Sequence, residues 1–263
     1  MHPRRSNCRW RFLVAPPRCG AENMARDVAL QARAARTGET VFSLYSWSRP
    51  TLSFGRNQPA IGLYDTSKIR DEGIDVVRRP TGGRAILHHR EITYSVTAPI
   101  EDASLQETYS RINQILQMGL AHLGVLVEAA VGAERSEAPS VRPCFETPAR
   151  GELVAAGAKL VGSAQWREDG ALLQHGSILV DDDQSALLDL SVMPIDNHRW
   201  SPPASLHSLL GRAPDATEVA SAMLDAVRSL EDDGVTELAE SDIRAEALAR
   251  VPQFLDEDWT WRR

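Results

Sequence analysis

The chain has 263 residues, 43% hydrophobic and 25% charged, with a formal net charge of −7, enough apolar material for a substantial core in one large or two small domains. No stretch approaches the roughly 20 apolar residues of a membrane span, and the apolar run at residues 12–15, inside a basic N-terminus, is too short for the core of a signal peptide. Three cysteines, Cys8, Cys19 and Cys144, form no closed disulfide framework and match no zinc spacing, which implies a reducing, cytoplasmic setting.

Hydrophobic periodicity and turn residues give a mixed pattern of helices and strands without internal repeats. Residues 10–14 read as a strand, and residues 22–35 as a helix with Met24, Val28 and Leu30 on its apolar positions and Gly38 past its end. Strands at 41–47 and 51–55 follow, joined by an Arg49-Pro50 turn. A helical 66–72 leads through Gly73 into a strand at 76–79, the Gly82-Gly83 loop, and strands at 85–88 and 92–98. The clearest helix is 105–123, where Tyr109, Ile112, Leu116, Leu120 and Leu123 recur at three- and four-residue spacing. Residues 130–142 are small, polar and proline-containing and predict a mobile loop just before Cys144, suited to admitting a macromolecular substrate.

Strands resume at 152–155, 159–167 and 171–179, the first pair linked by a Gly157 turn and the second by Asp169-Gly170, a strong hairpin signal. Helices are predicted at 184–190, 216–230 and 242–249, before the Trp-rich ending DEDWTWRR. The expected fold class is α+β, with mixed, largely antiparallel sheets flanked by helices. A catalytic unit over residues 10–212 would be followed by an acidic helical segment, 213–263, too short for independent stability and so expected to pack on the main body.

Charge is unevenly spread. Residues 1–100 carry 16 Lys and Arg against 8 Asp and Glu, whereas residues 213–263 carry 5 against 13. With no aromatic-and-basic motif, helix-turn-helix or zinc finger, nucleic acid is not the expected partner. A basic half suits an acidic protein, since complementary potentials steer encounter.

Only Lys68 and Lys159 are lysines among the 29 Lys and Arg residues. Where a plain positive charge would do, this chain uses arginine. Lys159 therefore points to what arginine cannot do, placing a compact ammonium in a tight site. Fifteen residues earlier stands Cys144, with Arg142, Pro143 and Glu152 nearby. A thiolate is the reactive form of cysteine, and an ammonium that favours it by about 2 kcal/mol makes it the major species near neutrality. Cys8, in an N-terminus expected to fray, and Cys19, in a PPRCG turn, read as inert.

The segment RRPTGGRAILHHREITYSV, residues 78–96, is a second constellation. Adjacent glycines after a strand bring backbone close to a ligand or make a tight turn. The glycine spacing fits neither a Walker motif nor a dinucleotide fingerprint. His88 and His89 cannot share one face of a strand, which argues against a two-histidine metal site and leaves one of them facing the cleft.

With KLVGSAQWR and LLQHGSIL downstream, NMARDVAL at residues 23–30 and SFGRNQ at residues 53–58, these segments resemble the cysteine-dependent octanoyltransferases related to lipoate-protein ligase A. The resemblance runs from about Trp10 to the Trp259 region and implies a catalytic domain like those of biotin and lipoate protein ligases. It implies that Cys144 accepts the acyl group and that Lys159 contacts its carbonyl. Arg79, Gly82, Gly83 and His88 would line the acyl tunnel, with Ser163, Gln165, His175 and Gly176 closing its other side. The implied reaction moves octanoate from acyl carrier protein to a lysine of a lipoyl domain, such as a glycine cleavage H protein or a 2-oxoacid dehydrogenase E2. It needs no cofactor beyond the phosphopantetheine that delivers the acyl group, no metal and no ATP.

Departures from relatives sharpen this reading. ATP-dependent ligases commonly carry a third glycine where this chain has Arg84, lack a cysteine at the place of Cys144 and often append an accessory domain. Another octanoyltransferase branch carries its nucleophile after the lysine, and here no cysteine follows Cys144. His89 stands where an aspartate is usual, and Thr147-Pro148-Ala149-Arg150 is less aromatic than the usual sequence after the cysteine; these two departures leave the acceptor docking surface open and do not touch the chemistry. Three classes stay open: a cysteine acyltransferase, of which a lipoyl-relay amidotransferase is a variant, an ATP-dependent ligase, and a non-catalytic acyl-binding module.

Overall fold

A computed structural model describes residues 9–100, 103–131, 143–182, 184–192 and 201–262. The loop expected to move over 130–142 lies outside them except for Ala130 and Val131, as does Cys8. The chain runs β1 (Trp10–Val14), α1 (Gly20–Thr37), β2 (Thr40–Tyr45), β3 (Thr51–Phe54), α2 (Thr66–Asp71), β4 (Asp75–Arg78), β5 (Ile86–His88), β6 (Glu91–Pro99) and α3 (Leu105–His122). There follow β7 (Glu128–Ala129), β8 (Leu153–Ala155), β9 (Ala158–Glu168), β10 (Ala171–Leu179), a 3-10 turn (Ser185–Leu190), α4 (Leu206–Leu210), α5 (Ala216–Leu230), β11 (Thr236–Glu237), α6 (Ser241–Leu255) and α7 (Glu257–Thr260).

Eight strands form one sheet in the order β11-β1-β2-β6-β10-β9-β8-β7, and β4-β3-β5 form a second. β1 runs parallel to β2 and β11, and β3 parallel to β4, while the other pairs are antiparallel. The two predicted hairpins close on adjacent left-handed residues, Ala156 and Gly157 at φ 49° and 80°, and Asp169 and Gly170 at 50° and 81°. That is the backbone a two-residue turn needs to match strand twist.

Helices α3 and α5 cover one face of the large sheet, burying Ile112, Ile115, Leu116, Val219 and Met223 against Phe42, Tyr94 and Val96. The start of α3 is fixed by a capping box between Ser104 and Glu107. Helix α1 lies against β6 and β10 and packs along α6, with Met24 and Ala25 meeting Phe254. The small sheet has its own core of Leu52, Phe54, Tyr64, Ile69 and Leu187.

Several readings change. The strands joined by Arg49-Pro50 belong to different sheets, because that turn carries the chain from β2 in the large sheet to β3 in the small one. The helix predicted at 184–190 is a 3-10 helix, Ser185–Leu190, with Gln184 at its cap. Helix α6 continues through Pro252 to Leu255, where Phe254 is 1% exposed; burial of that ring on α1 overrides the local tendency of proline to end a helix. The two-residue strands β7 and β11 are too short to show a period.

The charge asymmetry also has an internal outlet. Arg18 and Arg26 both reach Glu240, and Arg36 reaches Glu246, joining the basic α1 region to the acidic α6. Arg11 and Arg33 bind Glu39, and Arg49 binds Asp75. Many of the arginines that suggested an acidic partner therefore meet carboxylates of their own chain.

Candidate active site

Cys144 is tied to the body by its N–H, which donates to the Ala85 carbonyl at 3.0 Å. Phe145, 1% exposed, anchors the next residue against Ile86 and Leu179. The β8–β9 hairpin then brings Lys159 to the same point. Its Nζ donates to the Cys144 carbonyl at 2.7 Å and lies 3.4 Å from Cys144 Sγ. It also forms a 2.7 Å ion pair with Glu152 and sits 4.8 Å from the centre of the Phe145 ring. Gly162 makes room for this ammonium: a Cβ there would lie 3.1 Å from Lys159 Cε and 3.2 Å from the Phe145 ring.

These groups open onto a cavity of about 590 Å³, inside the range of about 300–1,000 Å³ usual for small-molecule sites. The Gly82-Gly83 loop forms one wall. Gly83 has φ 99°, and Gly55 lets this loop approach so closely that a Cβ on Gly55 would fall 2.0 Å from the Gly83 carbonyl oxygen. Arg79 pins the loop. Its guanidinium donates to the Gly82 and Arg84 carbonyls at 2.9 and 2.7 Å, and to Ser53 O and Oγ at 3.1 and 3.0 Å. Burial among these neutral acceptors pushes its pKa down to about 10, with the nearby Cys144 opposing the shift.

Two histidines build the inner wall. His88 stacks on Trp47 with ring centroids 4.0 Å apart, while its nitrogens meet Ser53 Oγ at 2.8 Å and Glu91 Oε1 at 3.2 Å. Burial lowers its pKa and so favours a neutral ring, against the opposing pull of Glu91, which raises it. His175 is held between Thr81 Oγ1 at 2.6 Å and Asp27 Oδ2 at 2.7 Å, and the same carboxylate accepts the Tyr45 hydroxyl at 2.8 Å. This chain links α1 and β10 to the loop that carries the glycines.

The opposite wall comes from β9 and β10. Ser163 Oγ lies 2.6 Å from the Tyr94 hydroxyl, and the amides of Gln165 and Gln174 meet at 2.6 Å. Burial raises the Tyr94 pKa to about 12. Gly176 is needed for close strand packing, since a Cβ there would fall 2.1 Å from the Gly162 carbonyl oxygen and 2.8 Å from the Tyr94 ring.

All ten residues singled out in the sequence line this one cavity: Cys144, Lys159, Arg79, Gly82, Gly83, His88, Ser163, Gln165, His175 and Gly176. His89 is exposed, so His88 is the histidine that faces inward. Cys19 is apart from the cavity, half-buried beside Glu22, with its pKa raised chiefly by burial. Sequence reasoning left out Trp47, Tyr109, Asp27 and Thr81, and took Glu152 only as a neighbour. Tyr109 lines the cavity although its spacing marked it as part of a helix's apolar stripe; burial raises its pKa against a hydrogen bond from Ser163. For Glu152 a signal existed, since the turn at Gly157 folds β8 back on β9.

Among the described residues, no cluster of three or more His, Cys, Asp or Glu is arranged to hold a metal ion, and no helix is long and apolar enough to cross a membrane. The arrangement offers a partly exposed thiol, an ammonium in hydrogen-bonding reach of it, and an adjoining cavity. A thiol and an ammonium so placed are chemically suited to nucleophilic attack on a carbonyl.

Comparison with known proteins gives this site a family. A model of the lipoyl protein ligase A/B catalytic domain matches residues 19–228. The chain is 38% identical over 276 residues to the octanoyltransferase LipM of Kyrpidia tusciae, covering 97% of this chain and 99% of that one. It is 43% identical over 183 residues to the octanoyltransferase LipM of Carboxydothermus hydrogenoformans, covering 68% and 67%. Its fold matches the crystal structure of a lipoate-protein ligase A bound with ATP, at a TM-score of 0.78 and 20% identity over 96% of this chain and 98% of that one. The mixed sheets around the Cys144 cavity are thus those of a lipoate protein ligase-like fold, and the chain belongs to the lipoyl protein ligase A/B catalytic-domain family.

Proposed function

We propose that this protein transfers an octanoyl group from acyl carrier protein to a lysine of a lipoyl domain, through a thioester on Cys144, in lipoate biosynthesis. The observation that carries the reading is Lys159 Nζ, 3.4 Å from Cys144 Sγ at the wall of the cavity. The relatives named octanoyltransferase LipM support octanoate as the acyl group. In the first step the sulfur of Cys144 attacks the donor thioester, a new C–S bond forms, and the pantetheine sulfur leaves with the proton. In the second, the uncharged ε-amine of the acceptor attacks the acyl-enzyme, a C–N bond forms, and Cys144 is released. Lys159 supplies the positive charge and donor for the oxyanion in both steps. Both acyl donors are thioesters, already activated, so the reaction runs without ATP, a cofactor or a metal.

Intact mass after incubation with octanoyl acyl carrier protein tests this. The wild type gains one octanoyl group, lost on addition of a lipoyl domain, whereas Cys144→Ser gains none and turns over no substrate. Full activity in Cys144→Ser would refute the mechanism. Pyrophosphate release with free octanoate would show an ATP-dependent ligase. Loading only from an octanoylated carrier domain would show a relay amidotransferase.

A further inference from the structure

Glu152 has no part in the steps above, yet it is bonded directly to the ammonium they use. Its Oε2 lies 2.7 Å from Lys159 Nζ and also accepts the Ala149 N–H at 2.7 Å. The carboxylate is 7% exposed and lines the cavity beside Cys144. Lys159 is therefore held from three directions: by Glu152, by the Cys144 carbonyl at 2.7 Å and by Cys144 Sγ at 3.4 Å. A lysine paired in this way is not a free ammonium. The negative charge one hydrogen bond away balances part of the charge that Lys159 presents to its surroundings.

We propose that Glu152 is a positioning residue of the transfer reaction, an inference that rests on the acyl-enzyme reading. It fixes Lys159 Nζ beside the sulfur and balances its charge, so that the ammonium is aimed at the reacting carbonyl. The accounting closes without an added acid or base. On acylation the Cys144 S–H bond breaks, and the proton ends on the departing pantetheine sulfur. On deacylation one proton of the attacking amine ends on the Cys144 sulfur. The Lys159–Glu152 pair is neutral overall before and after each step.

Glu152→Gln tests the charge, because the amide oxygen can still accept both N–H groups. We expect Cys144 to react with iodoacetamide roughly 10-fold faster at pH 6.5 than in the wild type, its profile displaced to lower pH. Octanoyl transfer should lose about 10-fold or more in kcat with KM for both carriers changed less than about two-fold. Glu152→Asp tests the position: it restores the charge on a shorter side chain, so the alkylation profile returns to that of the wild type while kcat stays low. A Glu152→Gln profile that superimposes on the wild type, or a Glu152→Asp variant with full kcat, overturns the proposal; the second arm stands if the glutamine variant does not fold. Alkylation needs no acyl donor. A wild-type protein that alkylates at Cys144 but never gains octanoyl mass would sink the acyl-enzyme reading instead.

Discussion

Gly162→Ala is a small change at the point where β9 passes Lys159 and Phe145. The added methyl would lie 3.1 Å from Lys159 Cε, 3.2 Å from the Phe145 ring and 3.3 Å from Lys159 Nζ. Contacts this short require a neighbour to yield by a few tenths of an ångström. Phe145 is 1% exposed and packed against Ile86 and Leu179, so it resists. Lys159 has the more flexible side chain of the two, and of its three polar contacts the one to Cys144 Sγ, at 3.4 Å, is the longest and the first to yield. Overpacking of a core typically costs about 1–3 kcal/mol. If that strain is relieved by moving the ammonium off the sulfur, the same energy is lost from the transition state, or roughly 5- to 150-fold in kcat. Global stability should change little, since Gly162 needs no left-handed backbone and alanine is better than glycine inside a strand by about 0.5–1 kcal/mol. The assay is steady-state octanoyl transfer, with the rate of Cys144 alkylation and the Tm measured on the same preparation. Wild-type kcat and alkylation together with an unchanged Tm would show that Lys159 is not where its chemistry requires.

Glu240→Ala should lower stability in urea by about 2–3 kcal/mol, less than the 3–5 kcal/mol of a wholly buried pair because Glu240 is partly exposed; Arg26, with its side chain 2% exposed, loses its carboxylate, and an unchanged unfolding midpoint would show that the α1–α6 ion pairs contribute nothing. The lowered pKa of His88 sets a pH dependence. The folded state binds this proton less readily than the unfolded chain, so the stabilising contribution is complete above the ordinary imidazole value of 6.5 and is lost as pH falls through the lower folded value. Denaturation between pH 7.5 and 5 should show a decline that is shallower in His88→Gln, and parallel slopes would refute it.

How much of this was legible along the chain depended on the range of the interaction involved. The hairpin at Asp169-Gly170 was readable because its conformation is set by the turn residues themselves, and helix α3 because its buried face repeats within the helix. Lys159 stood out because an arginine-rich chain has only two lysines. The ten cavity residues were reached through short motifs, each on its own strand or loop, in a recognisable order.

What the residues alone determined was therefore chemistry and local conformation: a thiol, an ammonium, a pair of glycines, and the periods of the longer elements. Partnership was decided by the fold. Asp27 reads as a polar position inside α1, yet it holds the imidazole of His175, 148 residues away. Arg18, Arg26 and Arg36 added to the basic half of the chain, and α6 brings Glu240 and Glu246 to them. Lys159 promised a compact ammonium beside a thiol, and the β8–β9 hairpin delivers it to Glu152 as well as to Cys144. The physical reason is the same in each case. A side chain's type and its nearest neighbours are properties of the sequence, but the charge it feels is set by groups within a few ångströms in space, and only packing the two sheets and their helices determines which groups those are.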